Sequence, residues 1–219
     1  MIKLVVFDWN GTLFADMNAS NVGVNAKLKF LGHQPITIQR HREVFDVPTK
    51  KMYTSLGVDV ELQTTKGAEA QELYHTVYEE QAAHVRTRSG ARKVLQFLKQ
   101  KSIPIVLFSN HTIAGINYQI RRLKLSPYFD AVLANENIYN AHSKGKKERL
   151  IEYLKTVHIK PKEILIIGDS PEEIYIGKEL GLKTVAITGG FCSTARLKDA
   201  KPDFLIHKLA DLINIIEKL

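Results

Sequence analysis

The chain has 219 residues, 44% hydrophobic and 25% charged, which fits one globular domain or one domain carrying a smaller insert. A single cysteine, Cys192, excludes an internal disulfide framework and a thiolate metal cluster. No apolar run approaches the ~20 residues of a membrane span, and no small-residue cleavage site follows the apolar start, so a soluble, cytoplasmic protein with no membrane partner is expected.

Charge is unevenly spread. The chain carries 31 Lys and Arg against 23 Asp and Glu, a net +8, yet residues 15–88 hold nine of each sign. The excess therefore lies almost wholly from Ser89 onward. Basic surface attracts phosphates, on nucleic acid or on a small metabolite. No interleaved aromatic-basic stripe or recognition-helix signature is present, so nucleic acid is the weaker partner.

In chain order, the first element is the β-branched apolar run Lys3 to Phe7, which reads as a buried strand ending at Asp8. From about Asn18 to Arg86 come helical patterns, notably Val22 to Leu31 and Ala68 to Val85, with Pro35 and Pro48 where new helices could begin. Strong strand patterns then fall at Ile103 to Phe108, Glu163 to Ile167 and Lys183 to Ile187, and weaker ones at Asp130 to Leu133 and Asp203 to Ile206. Helical patterns alternate with them at Ala91 to Gln100, Ile113 to Leu123, Lys146 to Val157, Glu172 to Leu180 and Leu209 to Leu219. Alternation of this kind predicts an α/β fold, a parallel Rossmann-like sheet sandwiched by helices. Residues 1–14 and 89–219 are expected to form the core, and residues 15–88 a helical cap inserted after the first strand.

Ligands of open α/β sheets bind outside the carboxyl ends of the strands. The first strand is followed there by Asp8-Trp9-Asn10-Gly11-Thr12, the second by Ser109-Asn110, and the strand Glu163 to Ile167 by Gly168-Asp169-Ser170-Pro171-Glu172-Glu173. Lys144, Lys146 and Lys147 precede the helix leading into that last strand. Taken alone, an Asp at a strand end is often a turn or cap former, Pro171 suits a first helical position, and the lysines suit a solvated helix start. The eight histidines, including His111 beside Ser109, show no metal-ligand spacing, and Cys192 lies in Gly189-Gly190-Phe191-Cys192-Ser193 with no basic neighbour to activate it.

Together and in order, the motifs resemble those of the haloacid dehalogenase superfamily over nearly the whole chain. Asp8-Trp9-Asn10-Gly11-Thr12 is similar to that family's first motif, Asp-x-Asp-Gly-Thr, except at the second carboxylate. Ser109 stands where the second motif has a Ser or Thr, and Gly168-Asp169 where the fourth begins. The family's lysine commonly lies about 25 residues before the fourth-motif Asp, which selects Lys144 over Lys146 and Lys147. The further acid is Glu173, with Glu172 as alternate. The stretches Leu125-Ser126-Pro127-Tyr128-Phe129-Asp130, Gly181-Leu182-Lys183-Thr184-Val185 and Pro202-Asp203-Phe204 also resemble phosphoglycolate phosphatase-like members.

The resemblance implies a phosphatase acting on a small phosphorylated metabolite through an aspartyl-phosphate on Asp8, as a monomer or homodimer. Mg²⁺ would be held by Asp8, the backbone carbonyl of Asn10, Asp169 and Glu173. Ser109, Asn110 and Lys144 would hold the phosphoryl oxygens, and Gly11 would let the chain turn beyond the nucleophile. Asn10 departs from the pattern: the family's Asp there is the general acid/base, and a carboxamide has no titrating proton to supply. Alternatives are therefore a phosphonate hydrolase or phosphotransferase, or a catalytically weak binder of phosphorylated ligands. A phosphonate hydrolase would need a cap lysine, for which Lys27, Lys29, Lys50, Lys51 and Lys66 are available without any being marked out. A dehalogenase reading is weaker, because those enzymes need no metal and Asp169 is kept.

Overall fold

A computed structural model describes residues 1–137 and 145–219. Its strands are β1 (Leu4–Asp8), β2 (Ile105–Thr112), β3 (Ala131–Asn135), β4 (Ile164–Gly168), β5 (Lys183–Ile187) and β6 (Phe204–Ile206). All pair in parallel, in the order β3-β2-β1-β4-β5-β6. The order reverses between β1 and β4, which makes a crevice outside their carboxyl ends.

All five residues of β1 and of β4 are buried, because helices cover both faces of the sheet. Successive side chains point to opposite faces. Val5 and Phe7 join one apolar cluster with Val94, Leu98, Ile116 and Leu212. Leu4 and Val6 join another with Leu150 and Ile176. The covering helices are the later ones of the chain.

The helices of the insert are α1 (Met17–Phe30), α2 (Ile38–Val44), α3 (Lys50–Ser55), α4 (Val60–Thr65) and α5 (Gly67–Ala82). They are followed by α6 (Ala91–Gln100), α7 (Ile113–Arg122), α8 (Lys146–Lys155), α9 (Pro171–Glu179), α10 (Thr194–Asp199) and α11 (Asp211–Lys218). The insert has a small apolar core of its own, built on Val24, Leu28, Met52, Tyr53, Val58 and Ala70.

Three details differ from the sequence patterns. Helix α1 begins five residues before Val22, because Met17, Ala19 and Ser20 are buried although the segment is rich in Asn and Ser. The short helices α4 and α10 have no periodic pattern long enough to announce them. Strand β2 continues four residues past Phe108, resuming its pairing with β3 at Thr112–Asn135 after a register shift. That extension carries Ser109, Asn110 and His111 past the end of β1.

Candidate active site

Asp8 is the last residue of β1 and is level with Phe108 of β2. The chain then folds back tightly. Trp9, fully buried, stacks on Phe14 at 5.0 Å between ring centroids, and the amides of Leu13 and Phe14 return to the Trp9 carbonyl. Gly11 occupies the left-handed region at φ +70°, and a Cβ there would overlap the Asp169 carboxylate. Only glycine satisfies both demands. Arg88 fixes the loop from outside, donating to the Gly11 carbonyl and to that of Thr188, both at 2.6 Å.

Asp169 follows β4 and accepts from Thr12 Oγ1 at 3.2 Å and from the Phe191 amide. Ser170 is the N-cap of α9 and Pro171 its first residue. The Glu173 side chain completes a capping box, accepting from the Ser170 hydroxyl at 2.7 Å and its amide at 3.2 Å. Local helix-start chemistry thus also holds Glu173 beside the strand-end carboxylates. Its other oxygen accepts from Lys146.

Lys144 lies outside the described residues. Lys146, the first residue of α8, stands at the cluster: its Nζ is 2.7 Å from Asp8 Oδ1, 3.9 Å from Glu172 and 4.6 Å from the Phe108 ring centroid. Lys147 turns away to pair with Glu179. Ser109 Oγ donates to Asn10 Oδ1 at 3.2 Å, and Asn110 Nδ2 donates to Glu172 at 2.8 Å. Asp8, Asn10, Ser109, Asn110, Lys146, Asp169 and Glu173 all line one cleft of about 290 Å³.

Burial dominates the electrostatics of this cleft. It pushes the Asp8 carboxyl well above the usual carboxylate range, Lys146 opposing, with Glu173 and Asp169 adding to the rise. Burial and then Glu173 push Asp169 up to about 7. Lys146 is raised, because the adjoining carboxylates outweigh its own desolvation, and it stays an ammonium. One ammonium therefore faces three buried carboxylates. These hard oxygen donors, whose ionised forms a cation would favour, suit the divalent cation that the resemblance implies, Mg²⁺ above softer ions. The residues fit that ion.

Several side chains at the site carry no motif in the sequence. Asp16 is fully buried and accepts from Asn10 Nδ2 at 2.7 Å, the Tyr78 hydroxyl at 2.7 Å and the Gly11 amide at 2.8 Å. Tyr78 of α5 also accepts from Asn10 Nδ2 at 2.9 Å. The Asn10 amide group thus points at Asp16 and Tyr78, and its carbonyl at Ser109. From the insert, Gln71, Tyr74, His75 and Tyr78 line the cleft. Their signal is tertiary: Tyr78 lies 68 positions from Asn10 in sequence.

Among the five lysines considered for phosphonate chemistry, Lys27 is the buried one, donating to Gln71 at 2.9 Å with its ammonium 4.4 Å from the Tyr53 ring centroid. It lines an adjoining cavity that shares Gln71 with the cleft holding Asp8. Cys192 is buried, which pushes its thiol well up and makes it a poor nucleophile.

Comparison with known proteins places this arrangement. The family model for haloacid dehalogenase-like hydrolases matches residues 5–187. A pyrophosphatase PpaX of Bacillus mycoides is 24% identical over 219 residues, spanning all of this chain and 98% of its own. A phosphoglycolate phosphatase of Pseudomonas fluorescens is 25% identical over 215 residues, 96% of this chain and 78% of its own. The structure of a predicted phosphatase from Clostridium acetobutylicum superposes with a TM-score of 0.83 over all of both chains at 20% identity. That of a haloacid dehalogenase-like family protein from Streptococcus pneumoniae does so with 0.82 over 98% of each, also at 20%.

Proposed function

The chain belongs to the haloacid dehalogenase-like hydrolases, and from that premise we propose that it is a Mg²⁺-dependent phosphatase of a small phosphorylated metabolite, with Asp8 as nucleophile. Residues 15–88 would serve as its cap. The observation that carries the reading is the convergence of Asp8, Ser109, Lys146 and Asp169 on one cleft that insert residues also line. The names of the pyrophosphatase and phosphoglycolate phosphatase relatives support the same reaction class.

In this mechanism an Asp8 oxygen attacks phosphorus, the bond to the leaving oxygen breaks, and the phosphoryl group stays on Asp8. Water then attacks that phosphorus, releasing phosphate and restoring the carboxylate. Lys146, already bonded to Asp8, holds a phosphoryl oxygen as charge shifts, and the Ser109 hydroxyl holds another. Asp8, the backbone carbonyl of Asn10 and Asp169 would hold Mg²⁺, with Glu173 reaching it directly or through water; the bound ion would offset the repulsion between the carboxylates and the incoming phosphate. Thr12 and the Phe191 amide orient Asp169 throughout.

The test is a panel of phosphorylated metabolites and p-nitrophenyl phosphate, with millimolar Mg²⁺ and with chelator, on wild type and Asp8→Asn. Mg²⁺-dependent phosphate release that disappears in Asp8→Asn supports the reading. Release that is unchanged in Asp8→Asn overturns it, as does the absence of any release from the whole panel.

A further inference from the structure

We propose a second metal site in this protein, for a transition-metal ion of the Zn²⁺ class, formed by His75 and Glu79 of α5 together with His111 at the end of β2. One ligand atom from each of the three lies within 4.8 Å of the others. His75 and Glu79 are four residues apart and so share one face of α5. His111 approaches that face from the sheet, on the polar extension of β2.

The His111–Glu79 contact has the shape of two ligands to one ion. Its Nε2 and Oε1 atoms are 3.0 Å apart, yet His111 Nε2 is buried and makes no aligned hydrogen bond. Ligands at about 2.0–2.2 Å from a tetrahedral Zn²⁺ stand roughly 3.3–3.5 Å from one another. The pair is already near that spacing, and His75, whose Nε2 shares a 2.9 Å hydrogen bond with Gln71, completes the set. The rings of His75 and His111 lie nearly parallel, 10° apart, with centroids separated by 6.4 Å. Gly115 keeps the room beside them: a Cβ there would lie 2.5 Å from His111 Nε2 and 3.1 Å from Glu79 Oε1.

The donor set decides which ion. Two imidazoles and one carboxylate favour Zn²⁺, Co²⁺ or Ni²⁺, whereas the all-oxygen cluster at Asp8 and Asp169 favours Mg²⁺. The two sites would therefore sort ions by chemistry in one protein. His75 and His111 both line the cleft that holds Asp8. An ion there bridges the insert to the sheet and ties α5 over the cleft. This inference stands on the His-Glu-His geometry and is independent of the phosphatase reading.

The experiment is titration of the purified full chain with Zn²⁺ in millimolar Mg²⁺, by calorimetry and by melting temperature, on wild type, Glu79→Gln and His75→Gln. Co²⁺ serves as a second probe, its tetrahedral absorption bands reporting the ligand geometry. Wild type is expected to bind one Zn²⁺ with a rise in melting temperature. Each variant should bind at least about tenfold more weakly, since even outer-sphere partners are worth 10–100-fold. Asp169→Asn should bind Zn²⁺ as wild type does. No Zn²⁺ binding by wild type overturns the site, as does unchanged affinity in whichever variant folds. Loss of binding in Asp169→Asn would place the ion at the carboxylate cluster and overturn it equally. None of these readouts requires turnover.

Discussion

Replacing Asn10 by Asp removes an amide donor and sets a carboxylate against Asp16, which already occupies the other side of that hydrogen bond. The contact is 2.7 Å between Asn10 Nδ2 and Asp16 Oδ2. With the same oxygen-to-oxygen contact, the two carboxylate centres stand roughly 4 Å apart, and unit charges at that separation repel by about 4 kcal/mol at an effective dielectric constant of about 20. That energy moves one carboxyl's midpoint up by about three pH units. Burial already raises Asp16, so the pair is expected to hold one proton well above the usual carboxylate range. A carboxyl whose pKa is raised on folding holds its proton more tightly in the folded state. Asn10→Asp should therefore approach wild-type stability in acid, lose stability as pH climbs from about 4 to about 7, and keep the full deficit of about 4 kcal/mol above that. The double variant Asn10→Asp/Asp16→Asn exchanges donor for acceptor and should recover most of the loss. It should also hydrolyse alkyl phosphates faster than wild type, by anything up to the ~10²–10⁴-fold of general acid/base catalysis. Urea unfolding of wild type, both single variants and the double between pH 5 and 8 provides the measurement. Equal stability of Asn10→Asp and wild type at pH 8 would refute the reasoning, as would a double variant no more stable than Asn10→Asp.

Two further outcomes follow from the burial of charge. Lys146→Gln leaves Asp8 and Glu173 facing each other without their cation; removing one partner of a buried pair costs about 3–5 kcal/mol, so its melting temperature should fall and recover in part with Mg²⁺. Lys27 is lowered by burial from 10.5 to about 8. A lysine depressed on folding costs stability below its folded pKa, and that cost fades as pH rises towards 10.5. Lys27→Met should thus be more stable than wild type at pH 7, by on the order of 3 kcal/mol, with the gap shrinking by pH 10 in urea unfolding.

The sheet was legible because its strands are apolar runs ending in Asp8, Ser109 and Gly168-Asp169, and burial on both faces leaves no other reading for them. The loop after Asp8 was legible for the same reason, since Asn10-Gly11-Thr12 follows a strand that must stop. Which lysine meets Asp8 was not legible. Positions 144, 146 and 147 crowd about one helix start, and only the first turn of α8 decides that Lys146 faces inward while Lys147 pairs with Glu179. Asp16, Tyr78 and His75 were hidden for a different reason. Tyr78 and His75 sit in a helical pattern of ordinary composition and reach the site only when the insert folds onto residues a long way off in sequence, whereas Asp16, six positions from Asn10, sits in a loop just before α1 with no motif to mark it.

The network around Asn10 bears on which substrates suit the site. Its amide donates to Asp16 and Tyr78, so the carbonyl oxygen, an acceptor, is what it turns to Ser109. A carboxamide held this way cannot deliver a proton to a departing alkoxide, whatever its distance from the phosphorus. Leaving groups stable as anions need no such proton: aryl oxides, and the phosphate released from an anhydride. Transfer to Asp8 should therefore be fast for these and slow for simple alkyl esters, with rates across a series of substituted phenyl phosphates rising as the leaving group becomes more acidic. In the Asn10→Asp/Asp16→Asn double variant that dependence should flatten, because a protonated carboxyl at position 10 rescues the poor leaving groups selectively. Single-turnover rates of Asp8 phosphorylation measure it directly. Wild-type rates that are flat across the series would mean that another group near the cleft supplies the proton.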